Sequence, residues 1–300
     1  MGKIFFLNRS ILYMPASNER AFIKGMILPV DGIILDLEDA IGVSEKQYSR
    51  DLICKLITDN RNSFDQRRLV VRINSLKSPW GIEDLKEISR VNPDAILIPK
   101  VENKKDLQDV NALLPDKQKD IKLWAMIETS RGVLNSQEIA ESVGSLEALV
   151  IGSNDLIKDL GAKHGVERLA LLGSLNHVLL AARANNLLCF DGVHNAFKDL
   201  KGLHVSCLQG RELGFDGKTL IHPSQISKTN EVFSPSSDEI SEARLYIEEF
   251  QKVQLEGNAI AVVNGQIVEN LHVEIAKKLL ITAEIIAIQN RLNNNENDKI

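Results

Sequence analysis

Residues 123–134 read LWAMIETSRGVL. Leu123–Ile127 form an apolar run with the length and composition of a buried strand, and a carboxylate, Glu128, follows at once. Thr-Ser-Arg-Gly then opens a polar segment. ALVIGSNDLI at 148–157 repeats the arrangement, its apolar run giving way to Asn154 and Asp155. Core strands that twice end on charge raise the question of whether the two endings serve one site.

Outward from these two, the chain keeps one rhythm. Strands are expected at 10–16, 32–38, 69–74, 95–101, 123–129, 148–154, 187–193 and 218–223. Between them lie segments such as SEKQYSRDLICKLI (44–57) and LKGLHVSCLQGRELG (200–214), with apolar residues at three- and four-residue spacings. Eight strands separated by helices predict right-handed βαβ units, and near-continuous apolar strands predict a parallel sheet covered on both faces. Neither G-x-G-x-x-G nor G-x-x-x-x-G-K-[ST] occurs, so the expected class is a (β/α)₈ TIM barrel rather than an open doubly wound sheet.

After the eighth strand the pattern changes. SPSSDEISEARLYIEEFQKVQLEG reads as a capped amphipathic helix ending near Gly257. AIAVVNGQIVE (259–269) reads as a hairpin about Asn264-Gly265, a pair suited to a type I′ turn, and a helix is expected from about Leu271 to Arg291. The closing NNNENDKI is expected to fray. The chain therefore divides into a barrel, 1–233, and a helix–hairpin–helix extension, 234–300, whose apolar face calls for a barrel or a neighbouring subunit to pack on.

Composition narrows the function. A net charge of −5 leaves no basic footprint for nucleic acid, and no apolar run approaches the ~18 residues that cross a bilayer. MGKIFFLNRSILYMP lacks a small-residue cleavage site and reads as the approach to a strand. Cys54, Cys189 and Cys207 are odd in number, widely spaced and set among apolar residues, as in a reduced cytoplasmic protein.

In a barrel of this class the C-terminal strand ends converge on the active face, which singles out Asp36, Glu38, Asp39, Arg72, Asn74, Lys100, Glu128, Asn154, Asp155 and His222. Glu128 and Asp155, 27 residues apart, belong to neighbouring strands. Two carboxylates so placed repel unless a cation intervenes, and an all-oxygen pair without His or Cys suits Mg²⁺. Arg72 has the planar fork for a substrate carboxylate. The residues leave a second reading open, in which both acids are helix caps or pair with Arg131 and Lys158.

RSILYMPASNERAFIKG, GIILDLEDAI, VRIN, AILIPKVE, AMIET, VIGSNDL, GFDGKTLIHPSQI and VFSPS follow one another along the chain. In this order they resemble the citrate lyase β-subunit-like CoA-ester lyases of the HpcH/HpaI aldolase family, over nearly the whole length. The resemblance implies that Glu128 and Asp155 hold Mg²⁺ and that Arg72 binds the substrate acid. It implies cleavage of a 3-hydroxyacyl-CoA, of citramalyl- or malyl-CoA type, to acetyl-CoA and a 2-oxo acid. It also implies a proton donor in the C-terminal hairpin, contributed by an adjacent subunit of a homotrimer; the matching position is Glu269, where characterised relatives carry Asp. Tyr13, Arg20 and Lys24 fall where such lyases bind the CoA side.

Other roles on the same fold are a citrate lyase β subunit acting on a carrier-bound citryl thioester and a non-catalytic CoA-binding subunit. Lys100 is a candidate Schiff-base lysine, with an ion pair to Glu38, Asp39 or Glu102 as the simpler expectation. His222 reads as a structural hydrogen-bonder, and the five other histidines share no ligand spacing.

Overall fold

The structure is a computed structural model describing residues 6–64 and 67–297, with side chains described through Arg291. Eight parallel strands close into a barrel: β1 Ser10–Pro15, β2 Gly32–Asp36, β3 Arg68–Arg72, β4 Ala95–Ile98, β5 Lys122–Ile127, β6 Leu146–Ile151, β7 Leu188–Asp191 and β8 Gly217–Leu220. The order is sequential, and β1 pairs with both β2 and β8, so the expected (β/α)₈ architecture is the one formed.

Side-chain phase explains why each strand is apolar on both faces. Ile11, Ile34, Val70, Leu97, Trp124, Met126, Ala148, Val150 and Phe190 fill the barrel interior. Their chain neighbours, among them Leu12, Ile33, Leu35, Val71, Ile96, Ala125, Leu149 and Cys189, face the helical layer. Alternate residues of one strand thus enter two different cores. Stepping by two from Trp124 through Met126 reaches Glu128, and from Val70 reaches Arg72, so the phase that buries the core also aims these charges inward.

All eight strands stop earlier than expected, by one residue at β1 and by two or three at the others. The polar residues past those ends leave the ladder for loops and helix starts. Asp155 is the clearest correction: it is not a strand ending but lies in the first turn of the helix Ser153–Asp159, whose cap residue is Gly152.

The chain forms two compact units, Asn8–Phe233 and a second one built mainly from Ser234 onward. In the second, the helix Ser237–Leu255 begins with a capping box between Ser236 and Glu239. Strands β9 Ala261–Val263 and β10 Gln266–Val268 pair antiparallel. Asn264 and Gly265, at φ +50° and +79°, make the left-handed pair a type I′ turn requires. Phe250, Val263, Val268 and Val273 form this unit's own core. The last helix is Asn270–Asn297, so it continues past Arg291 through most of the segment expected to fray; residues 298–300 lie outside the described ones. Among the described residues no helix is long and apolar enough to cross a membrane.

Candidate active site

At the C-terminal end of the barrel a cavity of about 360 Å³ is lined by Tyr13, Asp36, Asp39, Arg72, Met126, Glu128 and Asp155, with Val193, Thr219 and Ile221 on its wall. Seven of the sequence candidates, Tyr13, Asp36, Asp39, Arg72, Glu128, Asn154 and Asp155, therefore meet in one place. Tyr13 lies within β1; its ring sits 5.1 Å from the Arg72 guanidinium and its hydroxyl 3.9 Å from Met126 Sδ. Arg20 and Lys24 are exposed on the helix Glu19–Gly25 and are not part of the cavity wall. Glu269 belongs to the other unit, directly after β10, where its backbone N–H donates to His272 Nδ1 at 3.0 Å.

Arg72 departs from expectation in what its fork holds. Nε and Nη2 donate to Asp36 Oδ1 and Oδ2 at 2.7 and 2.6 Å, closing a bidentate pair inside the protein. Nη1 is left facing Glu38 Oε2 at 3.0 Å, Asp39 Oδ2 at 3.4 Å and Met126 Sδ at 3.6 Å. Burial works against the guanidinium's charge, but the Asp36 fork outweighs it and holds Arg72 well above its usual range. Asp36 in turn accepts the N–H groups of Glu38 and Ala40, so one carboxylate anchors both the arginine and the loop beyond β2. Lys46 steadies that loop from below, donating to the carbonyls of Leu37 and Glu38 and to Asn74 Oδ1.

Glu128 is almost fully buried, at 1% exposure. Burial foremost, and then the nearby Glu38 charge, push its carboxyl up to about 8. Its Oε1 accepts the Lys100 backbone N–H at 2.8 Å. Its other oxygen lies over Gly152, where a Cβ would stand 2.5 Å from Oε2 and overlap the Glu128 Cβ. Asp155 is more open, with its side chain 34% exposed. Lys100 Nζ is 4.0 Å from Asp155 Oδ2 and donates to Glu38 Oε1 at 2.5 Å. Burial opposes the Lys100 charge, but the Glu38 contact dominates and raises its basicity, so the ammonium stays protonated and unsuited to Schiff-base attack. The simpler expectation for Lys100, an ion pair, is the one formed.

The cap reading of the two acids finds no support in their contacts. Thr129 and Gly152, not Glu128 and Asp155, occupy the cap positions of the adjacent helices, and the acids face Lys100 rather than Arg131 or Lys158. A hard divalent cation fits the donors present. They are oxygens only, Glu128 is a desolvated carboxylate that needs a nearby positive charge to ionise, and Gly152 leaves room at its second oxygen. Among the described residues no three His, Cys, Asp or Glu side chains are set to enclose an ion, so the protein would contribute two ligands and leave positions for water and substrate.

His222 caps the short turn Pro223–Gln225, accepting from the Ser224 N–H and stacking on Phe197 at 4.6 Å, a structural role as expected. Asp36 and Gly152 were not assigned roles from sequence. Asp36 had a trace in its phase with Ile34, and Gly152 in its place between an apolar run and Asn-Asp.

Residues 9–223 match the family model described as HpcH/HpaI aldolase/citrate lyase. The chain belongs to this family. Within it, the chain is 47% identical over 279 residues to a (3S)-malyl-CoA thioesterase of Cereibacter sphaeroides, covering 93% of this chain and 95% of that one. It is 30% identical over 270 residues to citrate lyase subunit beta of Leuconostoc mesenteroides, covering 88% and 89%. CitE of Mycobacterium tuberculosis, solved in complex with magnesium, acetoacetate and coenzyme A, matches with a TM-score of 0.76 at 26% identity, over 92% of this chain and 97% of that one. The HpcH/HpaI aldolase/citrate lyase family thus includes a protein named for thioester hydrolysis and one named for carbon–carbon cleavage.

Proposed function

We propose that this chain is a Mg²⁺-dependent carbon–carbon lyase that cleaves a 3-hydroxyacyl-CoA of malyl or citramalyl type to acetyl-CoA and a 2-oxo acid. The observation that carries this reading is a buried carboxylate, Glu128, beside Asp155 and Arg72 in one cavity. Glu128 and Asp155 would hold the ion, which when bound supplies Lewis acidity at the substrate's hydroxyl and acid oxygens. The Arg72 Nη1 edge, set in place by the Asp36 fork and the Tyr13 ring, orients the acid end.

Cleavage converts the hydroxyl carbon to a carbonyl as the bond to the thioester's α-carbon breaks. The electron pair leaves on the thioester enolate, whose α-carbon takes up a proton while the hydroxyl proton is released to bulk solvent. Glu269, contributed from the C-terminal unit of an adjacent subunit in a homotrimer, is the proposed donor to that carbon. Arg20 and Lys24, exposed cations on the first helix, would meet the CoA phosphates.

Hydrolysis of the same thioester is a second reading, favoured by the 47% identity to the malyl-CoA thioesterase. One experiment separates them: purified protein with (3S)-malyl-CoA or citramalyl-CoA, with Mg²⁺ or EDTA. Acetyl-CoA with equimolar 2-oxo acid, abolished by chelation, supports the lyase. Free CoA with the hydroxy diacid supports hydrolysis, and no product from any candidate thioester, including carrier-bound citryl thioester, would leave a binding subunit.

A further inference from the structure

Lys100 faces both acids of the proposed metal site, Glu128 through its backbone N–H and Asp155 through its ammonium. Its backbone sits in the left-handed region, at φ +51°, which is unusual for a residue other than glycine. That conformation aims its N–H at Glu128 Oε1, 2.8 Å away. Its ammonium donates to Glu38 Oε1 at 2.5 Å and faces Asp155 Oδ2 at 4.0 Å. Glu38 is a buried tether, its side chain 10% exposed, and it holds the ammonium at the acids although the Lys100 side chain itself is 42% exposed. Glu38's second oxygen lies 3.0 Å from Arg72 Nη1 but without hydrogen-bond alignment, so it remains an under-used ligand atom.

We propose that Lys100 is a positioning residue that acts as a built-in counter-cation, occupying the acid cluster of the metal-free protein and holding the site's affinity for Mg²⁺ down. Its positive charge opposes a divalent ion between Glu128 and Asp155, and its hold on Glu38 keeps that carboxylate from becoming a third protein ligand. Both effects have the same sign. The result is a site with two protein ligands and open positions for substrate, instead of a closed three-carboxylate cage. The inference rests on the proposed Mg²⁺ site and concerns affinity, not turnover.

The test is calorimetric titration of MgCl₂ alone into wild type, Lys100→Asn and Lys100→Arg. Asn tolerates the left-handed backbone, so the amide to Glu128 survives while the charge is lost. Lys100→Gly, unstrained at positive φ, is the second neutral variant. Both neutral variants should bind Mg²⁺ roughly tenfold tighter or more, as expected for removing a unit charge a few Å from a divalent ion. Lys100→Arg should stay near wild type. The metal-free neutral variants should melt lower, because Glu38 and Asp155 lose their counter-charge. Equal or weaker Mg²⁺ binding by either neutral variant that retains the wild-type circular dichroism spectrum overturns the inference and leaves the lyase reading standing. Wild type that binds no Mg²⁺ overturns both.

Discussion

The two ends of this barrel are made from the same strands and solve opposite problems. At the N-terminal end Trp124 stacks on Phe190, with ring centroids 4.7 Å apart, and its indole N–H donates to Glu147. Arg68 completes the layer, donating to Glu147 Oε2 and Asn8 Oδ1 and lying over the Trp124 ring. Here a cation pairs with an acid, Arg68 with Glu147, and large rings fill the space. Four residues further along the same strands the interior holds Arg72 and Glu128 instead, with more carboxylates than cations and a cavity between them. The packed end stabilises the barrel; the open end holds charge at a cost that only a ligand can offset.

Substitutions at the two ends should therefore separate stability from chemistry. The largest effect is expected from Glu128→Gln, which is isosteric and removes the ionisable carboxyl. Turnover should fall by about 10³-fold or more, as for loss of an essential metal ligand. The metal-free variant should melt at or above the parent temperature, because a desolvated carboxyl has been replaced by a neutral amide. Steady-state assays with saturating Mg²⁺ and thermal melts decide this together; a large loss of stability would mean that Glu128 is part of the structural core. Trp124→Ala makes the opposite case. It opens a void in the closed layer and leaves Glu147 without its indole donor, and should cost about 3–5 kcal/mol in denaturant unfolding. Mg²⁺ affinity of the folded fraction should change by no more than about twofold, since additivity holds for sites without shared partners.

Between these lies Gly152→Ala. The added methyl falls where Glu128 Cβ and Oε2 already are, with Met126 Cε 2.9 Å away, so Glu128 must move. Activity is expected to drop roughly 10- to 100-fold with a stability loss of about 1–3 kcal/mol, the range for an overpacked site. If Mg²⁺ affinity were unchanged in this variant, Glu128 would not be a ligand.

The sequence revealed what repeats and concealed what pairs at long range. All eight strands were legible because two-sided burial makes each an apolar run, and Glu128 was legible because it continues the inward phase of Trp124 and Met126. Asn264-Gly265 announced its turn because few residue pairs accept two left-handed conformations. The Asp36–Arg72 fork spans 36 positions and the Glu38–Lys100 pair 62, and neither leaves any periodic trace. Strand ends were misplaced because apolar residues continue into the loops; Ile151-Gly152 reads like more strand until Ser153 starts a helix. The left-handed backbone of Lys100 had no signal either, since lysine gives no hint of positive φ.

The smallest expected effect tests how far the open end extends. Arg20 and Lys24 are four residues apart on one helix, a spacing that places both on the same face, and both are exposed. If that face meets the CoA phosphates, Arg20→Gln and Lys24→Gln should each raise KM for the CoA ester about two- to fivefold with kcat unchanged, as for lost surface ion pairs. The double variant should lose much of the salt dependence of kcat/KM, because screened phosphate contacts produce that dependence. Melting temperature should not move, since neither residue is buried. A KM that stays constant in the double variant, at low and at moderate salt, would place the nucleotide end of the substrate elsewhere on the rim and confine this helix to a structural role.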